Sequence, residues 1–241
     1  MSLGVGAYRD DNGKPYVLQC VLEAERRILA KQFDKGLPPS DCDRLIQKTA
    51  NTSLEYAPIP GFPEYGKLVS NLIFGENSEV IQSDHIAIVQ SLSGTGALRI
   101  GGDFLKRFWH QKTIYLPTPT WPNHMGVFNA CDLEIKRYRY YNPKTLGLDI
   151  EGLLEDLRGA EGGSVVLLHA CAHNPTGVDP TRGDWNRILG VVKERMLLVF
   201  FDAAYLGFAS GDYDYDAWVI RHFVEEGVTL LLAVSFAKNM V

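Results

Sequence analysis

Leu197-Leu198-Val199-Phe200-Phe201-Asp202-Ala203-Ala204-Tyr205 is the stretch that decides how this chain is built. Apolar residues run from Leu197 to Phe201 without alternation and end in a carboxylate. A strand with one wet face alternates apolar and polar residues, whereas one covered on both faces does not. Leu197–Asp202 is therefore expected to be a strand inside a layered sheet. Five more β-rich runs surround it: Ile86–Gln90, Thr113–Leu116, Glu134–Tyr140, Ser164–Cys171 and Val228–Phe236. Helical patterns separate most of them, at Gly96–Trp109, Trp121–Cys131, Ile150–Leu157, Asp184–Arg195 and Tyr215–Glu226, with Asp184 offering a cap to the fourth. Strand–helix alternation implies a mostly parallel sheet in an α/β domain. The first 80 or so residues differ: Val21–Phe33 and Glu64–Phe74 read as helices, with the breaker cluster Lys35-Gly36-Leu37-Pro38-Pro39-Ser40 between them.

Composition narrows the class. The chain has 241 residues, 46% hydrophobic and 22% charged, with a formal net charge of −5. That balance is ordinary for a globular protein and gives no reason to expect nucleic acid or an anionic membrane surface as a partner. No apolar run reaches the roughly 18 residues of a membrane span. Cys20, Cys42, Cys131 and Cys171 are scattered, without a Cys-x-x-Cys pair, which favours a reducing compartment over a disulfide scaffold. No secretory signal is visible, so a cytoplasmic location is expected. A mitochondrial one stays open, because Met1-Ser2-Leu3 reads as a cloning scar and a native start could carry a targeting peptide.

Chemistry-bearing residues gather at the expected strand ends. The run Leu230-Leu231-Leu232-Ala233-Val234 reads as a buried strand that delivers Lys238. A lysine in dry surroundings loses its charge more easily, and the neutral amine is a nucleophile for an aldehyde. Ser91-Leu92-Ser93-Gly94-Thr95-Gly96 leads from a strand into a helix, and its backbone N–H groups and hydroxyls suit a phosphate. An ordinary strand-to-helix turn is the plainer alternative. Asp202 can hold a protonated ring nitrogen, or simply cap the next segment; Tyr205, three residues on, can donate to a phenolate-type oxygen. In Thr118-Pro119-Thr120-Trp121-Pro122-Asn123-His124, Trp121 can stack on a flat ring or serve core packing.

His169, Cys171 and His173 alternate, so on a strand they would face one side as a zinc half-site; a hydrogen-bonded core histidine is the plainer reading of His169. Asn174-Pro175 is a turn signal and a candidate cis bond. The acidic run Asp212-Tyr213-Asp214-Tyr215-Asp216 reads as a solvated helix start. A phosphate cradle, a stacking aromatic, a carboxylate for a ring nitrogen, donors for a ring oxygen and a lysine for an aldehyde together describe one cofactor, pyridoxal 5′-phosphate.

At these residues the chain resembles the aspartate aminotransferases, the class I branch of fold-type I pyridoxal-phosphate enzymes. Four motifs carry the resemblance in order: Gly4-Val5-Gly6-Ala7-Tyr8-Arg9, Leu92-Ser93-Gly94-Thr95-Gly96-Ala97-Leu98-Arg99, His169-Ala170-Cys171-Ala172-His173-Asn174-Pro175-Thr176-Gly177 and Ser235-Phe236-Ala237-Lys238-Asn239. It implies transamination between L-aspartate and 2-oxoglutarate, giving oxaloacetate and L-glutamate. The alternatives are a fragment that binds the cofactor without turnover, and a metal-dependent hydrolase using His169, Cys171 and His173.

The resemblance also assigns roles. Lys238 would form the Schiff base with the cofactor and shuttle the proton. Asp202 would hold the pyridinium, with His169 as its partner behind. Tyr205 and Asn174 would bond the ring oxygen, and Trp121 would stack on the ring above His124. Ser93, Gly94, Thr95 and Ser235 would hold the phosphate, joined by Tyr56 from a partner subunit. Gly6, with Trp121 and Asn174, would meet the substrate. An amino acid and a 2-oxo acid would be the small-molecule partners, and the assembly would be a homodimer.

The implied fold is a three-layer α/β/α arrangement with a mainly parallel sheet, the large domain of a PLP-dependent transferase, six of its seven strands being present. Residues 1–35 would be an N-terminal segment of the small domain, 36–53 a linker or insertion longer than the family's, and 54–241 the cofactor-binding large domain. Val241 stands where the family has glycine. The family's phosphate-binding arginine, its two substrate-binding arginines and its seventh strand would all follow the lysine or come from the partner, so the chain reads as truncated. Its open sheet edges are expected to leave it poorly stable alone.

Overall fold

The structure, a computed structural model, describes residues 10–14, 16, 18–33 and 56–239. Contacts divide the chain into two units, residues 1–59 and 60–241. In the first, the described part is dominated by helix α1 (Gln19–Phe33). Glu23 accepts from Arg26 and Arg27 on that helix, at 2.8 and 2.7 Å.

The second unit carries the sheet. In chain order it contains α2 (Pro63–Phe74), α3 (Glu79–Gln82), α4 (Ser93–Phe108), β1 (Thr113–Thr118), α5 (Pro122–Ala130), β2 (Glu134–Arg139), β3 (Tyr141–Asn142), β4 (Gly147–Leu148), α6 (Ile150–Arg158), β5 (Val165–His169), α7 (Arg182–Arg195), β6 (Leu198–Ala203), α8 (Tyr213–Glu225) and β7 (Leu230–Val234). Five strands form one sheet in the order β2-β1-β5-β6-β7, every pairing parallel. The short antiparallel pair β3–β4 stands apart from it.

The unbroken apolar strands are explained by what covers them. Phe200 on β6 points into a cluster with Leu98 and Leu105 of α4 and Phe128 of α5. Its neighbours Val199 and Phe201 point the other way, toward Leu153 and Leu157 of α6, Ile188 and Val192 of α7, and Ile220 and Phe223 of α8. β5 repeats the pattern, with Val165 and Leu167 on the first side and Val166 and Leu168 on the second. Both faces of the central strands β5 and β6 are thus dry and helix-covered, the expected three-layer α/β/α arrangement. Each such side chain contributes about 1.5–3 kcal/mol by leaving water. α4 can lie this close only because Gly101 has no side chain: a Cβ there would sit 2.4 Å from the Phe200 ring.

Three expectations change in detail. Ile86–Gln90 is not a strand: a strand needs a ladder partner, and among the described residues it has none. Gln90 instead donates its N–H to Pro60 O (2.7 Å) and accepts at Oε1 from Phe62 N–H (3.1 Å). β7 is only half-buried, because it pairs with β6 alone among the described strands and packs on α4 from one side. In α7 the N-cap is Thr181, and Asp184 is the third residue of the helix, completing a capping box in which each side chain bonds the other's backbone N–H. No helix among the described residues is long and apolar enough to cross a membrane.

Candidate active site

Parallel strands end together, so their C-terminal ends make one edge, and open α/β sheets bind ligands there. The registers place His169 of β5 beside Asp202 of β6, and Ala203 of β6 beside Val234 of β7. A cleft of about 240 Å³ opens at this edge. Ser93, Gly94, Thr95, Trp121, His169, Asn174, Asp202, Tyr205, Ser235 and Lys238, ten of the residues singled out in the sequence, all line it. Tyr56 belongs to the other unit, where it is 73% exposed, and Gly6 lies outside the described residues.

The N-terminus of α4 forms one wall. The first intrahelical bond runs from Gly96 N–H to Leu92 O, so the N–H groups of Gly94 and Thr95 are among those a helix start leaves without an internal partner. Ser93 Oγ lies 3.0 Å from Ser235 Oγ, the residue that follows β7. Between them Gly94 keeps the backbone bare: a Cβ there would meet Ser235 Cβ at 3.1 Å. Two hydroxyls, free N–H groups and the positive end of a 16-residue helix make an anion cradle.

The floor is a polar chain buried among rings. Asp202, its side chain 13% exposed, accepts from His124 Nε2 at 2.9 Å, and His124 is fully buried. With its proton on Nε2, His124 accepts at Nδ1 from the Thr120 hydroxyl (2.7 Å). The sequence reading put His169 behind Asp202; the structure gives that hydrogen bond to His124. His169 accepts at Nδ1 from Asn174 N–H (3.1 Å), which puts its proton on Nε2, a buried donor with no partner among the described residues. The Asn174–Pro175 peptide is cis.

Rings run in contact from His124: it lies tilted against His169 at 5.2 Å between centroids, His169 tilted against His173 at 4.4 Å, and His173 stacked on the Tyr140 ring at 3.8 Å. Burial, followed by the neighbouring imidazole, pushes His169 down to about 3; burial pushes His173 down to about 4. Both are therefore neutral near pH 7.

The neutral stack has a consequence for stability. Unfolded, each histidine titrates near 6.5. As pH falls the unfolded chain takes up these protons first, so the stabilisation is whole above about pH 6.5 and is lost as pH falls toward about 4. The melting temperature is expected to drop between pH 7.5 and pH 5. A melting temperature that holds level over that interval would contradict a neutral stack.

The zinc reading loses its geometry. β5 ends at His169, and Ala172 turns the chain with a φ of 46°, so His169, Cys171 and His173 do not alternate along a strand. Burial pushes the Cys171 thiol up, away from the thiolate a metal needs. Among the described residues the group with metal-ligand proximity is His124, His169 and Asp202 instead.

Lys238 also differs from expectation. It is exposed rather than dry, because it follows the strand's end at the mouth of the cleft, where its ammonium lies 5.0 Å from the centroid of the Tyr205 ring. The sequence reading named His124 only beneath Trp121; its bonds to Thr120 and Asp202 come from the fold.

The aminotransferase class I and II family matches residues 1–241. Aspartate aminotransferase 1 of Medicago sativa is 52% identical over 240 residues, covering 100% of this chain and 53% of the relative. Among solved structures, a mitochondrial aspartate aminotransferase from Trypanosoma brucei is 42% identical with a TM-score of 0.75, over 98% of this chain and 56% of that one. An aromatic-amino-acid aminotransferase from Burkholderia pseudomallei, covalently bound to pyridoxal phosphate, is 34% identical with a TM-score of 0.77, over 98% of this chain and 54% of that one. The chain spans about half the length of the curated relatives it matches.

Proposed function

This chain belongs to the aminotransferase class I and II family, and on that premise we propose that the whole protein transfers the amino group of L-aspartate to 2-oxoglutarate, giving oxaloacetate and L-glutamate, with pyridoxal 5′-phosphate as its cofactor. The observation that carries the reading is the cleft itself. An anion cradle, a flat aromatic wall, a buried carboxylate and a lysine converge in one cavity at the sheet edge.

These features fit the cofactor chemically. The bare backbone at Gly94, where a Cβ would crowd Ser235, leaves room for phosphate oxygens against Ser93, Gly94, Thr95 and Ser235. Trp121, on the cleft lining, would stack on a pyridine ring. Asp202, held by His124, is the counter-ion for a protonated ring nitrogen. His169 presents its unpartnered Nε2–H on the same floor.

When bound, pyridoxal phosphate supplies an electron sink for charge developing at the amino acid's Cα. The rest falls to the protein. Asp202, held in place by His124 and Thr120, would keep a ring nitrogen protonated. Asn174 and Tyr205, on the same lining, would donate to the ring oxygen. Lys238 would supply the amine that holds the cofactor and the base that moves a proton at the substrate Cα. Its place on the cleft lining puts the amine within reach of both tasks. In this reading Gly6 offers its N–H to the substrate carboxylate alongside Trp121 and Asn174. Tyr56 reaches the phosphate of a partner subunit in a homodimer. The three described cysteines are free thiols, which supports a reducing compartment such as the cytoplasm.

The test is an assay of the full-length protein loaded with pyridoxal phosphate, following oxaloacetate formed from L-aspartate and 2-oxoglutarate. Turnover that depends on both substrates and on the cofactor is expected. A cofactor-loaded protein that releases no oxaloacetate would overturn the reading, and faster turnover of aromatic amino acids would change its substrate.

A further inference from the structure

Tyr205 and Lys238 reach the cleft on separately supported segments. Tyr205 lies early in the connection 204–212 between β6 and α8, and Lys238 lies in the turn after β7. Backbone groups in such connections need partners, and here one peptide has two unusual ones. The carbonyl of Leu206 accepts from Asn239 Nδ2 at 3.0 Å, and Asn239 is the residue next to Lys238. The N–H of Gly207, at the other end of the same peptide unit, donates to Asp216 Oδ2 at 2.9 Å.

Asp216 also accepts from Ala209 N–H at 3.2 Å and Ser210 N–H at 3.4 Å. It was expected to be solvated at the start of a helix. It is 5% exposed, in the first turn of α8, where the helix's positive end favours a carboxylate. Leu206 is 1% exposed, and the carbonyl of Tyr205 closes the turn by accepting from Phe208 and Ala209. Neither Asn239 nor Asp216 lines the cleft.

We propose that Asn239 and Asp216 are positioning residues that clamp the Leu206–Gly207 peptide from both ends and so fix the Tyr205 ring relative to the Lys238 amine. The proposal rests on the reading that these two groups serve one cofactor. Catalytic geometry is unforgiving: a displacement of about 1 Å costs about 10²-fold in rate. The turn is tied at its start, where Ser235 meets Ser93 and Ala203; beyond the lysine the side-chain tie is that of Asn239. That side chain ties the lysine's turn to the tyrosine's loop.

The test uses Asn239→Leu, which loses the donor, and Asn239→Gln, which keeps it, in the full-length protein. In the cofactor-free protein, hydrogen exchange at the Gly207 and Ala209 amides is expected to quicken by about tenfold or more in Asn239→Leu. In the loaded protein, kcat falls by about tenfold or more while KM for aspartate stays within about threefold. The pH midpoint of the cofactor's colour change rises by about half a unit or more, because the Tyr205 hydrogen bond is loosened.

Asn239→Gln is expected to restore most of each effect. Asp216→Asn, which weakens the grip on the N–H end, is expected to shift exchange and colour in the same direction. Exchange and colour midpoint in Asn239→Leu equal to those of the unaltered protein would overturn the clamp, whatever the melting temperature. If the unaltered protein binds no pyridoxal phosphate while the exchange result holds, the functional reading falls and the clamp stands.

Discussion

Lys238→Ala is expected to lower transamination by about 10⁴-fold or more, while the protein stays folded. General acid–base catalysis alone contributes about 10²–10⁴-fold, and removing the nucleophilic amine takes away a second contribution. A loss of 10⁴ corresponds to about 5.5 kcal/mol of barrier. The fold should tolerate the change, because Lys238 is exposed and substitutions at such sites usually stay within about 0.5 kcal/mol. Lys238→Arg separates chemistry from charge. A guanidinium keeps the positive charge but does not deprotonate, so it can act neither as nucleophile nor as base. Both variants are expected to be inactive in the oxaloacetate assay, with a melting temperature near that of the unaltered protein. Activity in Lys238→Arg would mean that the lysine acts through charge alone.

The second large effect is at Asp202. Asp202→Asn keeps the size of the side chain and removes the charge. The ring nitrogen then has no counter-ion, and His124 Nε2 loses its carboxylate partner. Breaking a buried charge pair by removing one partner costs about 3–5 kcal/mol, or roughly 10²–10⁴-fold in kcat/KM if the loss falls on the transition state. His124→Asn is expected to cost less, since it loosens the carboxylate without removing it. The two variants should be non-additive, because His124 acts through Asp202. Steady-state kinetics of both singles and the double variant would test this. A double variant whose losses add independently would detach His124 from the site.

The sheet was legible because burial on both faces leaves a signature that one strand carries by itself: Val199, Phe200 and Phe201 are all apolar, and all are in a core. Pairing is not carried that way. Ile86–Gln90 has strand-like composition, yet a ladder depends on what lies alongside, and no described strand pairs with it. Most of the candidate site was legible for a similar reason, since strand ends can be found locally and strand ends converge. The second layer of the site was not. His124 and Asp202 are 78 residues apart, and only the fold brings them within 2.9 Å. Asp216 was hidden in plain view: among Asp212, Asp214 and Asp216 the sequence offers three equivalent carboxylates, and only α8's seating against the 204–212 loop buries the third. The exposure of Lys238 was misjudged because an apolar run says how the strand is buried, not where the chain goes after its last residue.

The central claim is that this cleft holds pyridoxal phosphate with Lys238 as its covalent anchor. The most direct measurement is to incubate the protein with pyridoxal phosphate, reduce with borohydride so that any lysine–aldehyde bond becomes permanent, digest, and map the modified peptide by mass spectrometry. The expected result is one stoichiometric adduct on Lys238, abolished by Lys238→Ala. An adduct spread over surface lysines, or a single adduct on another lysine that survives Lys238→Ala, would contradict it.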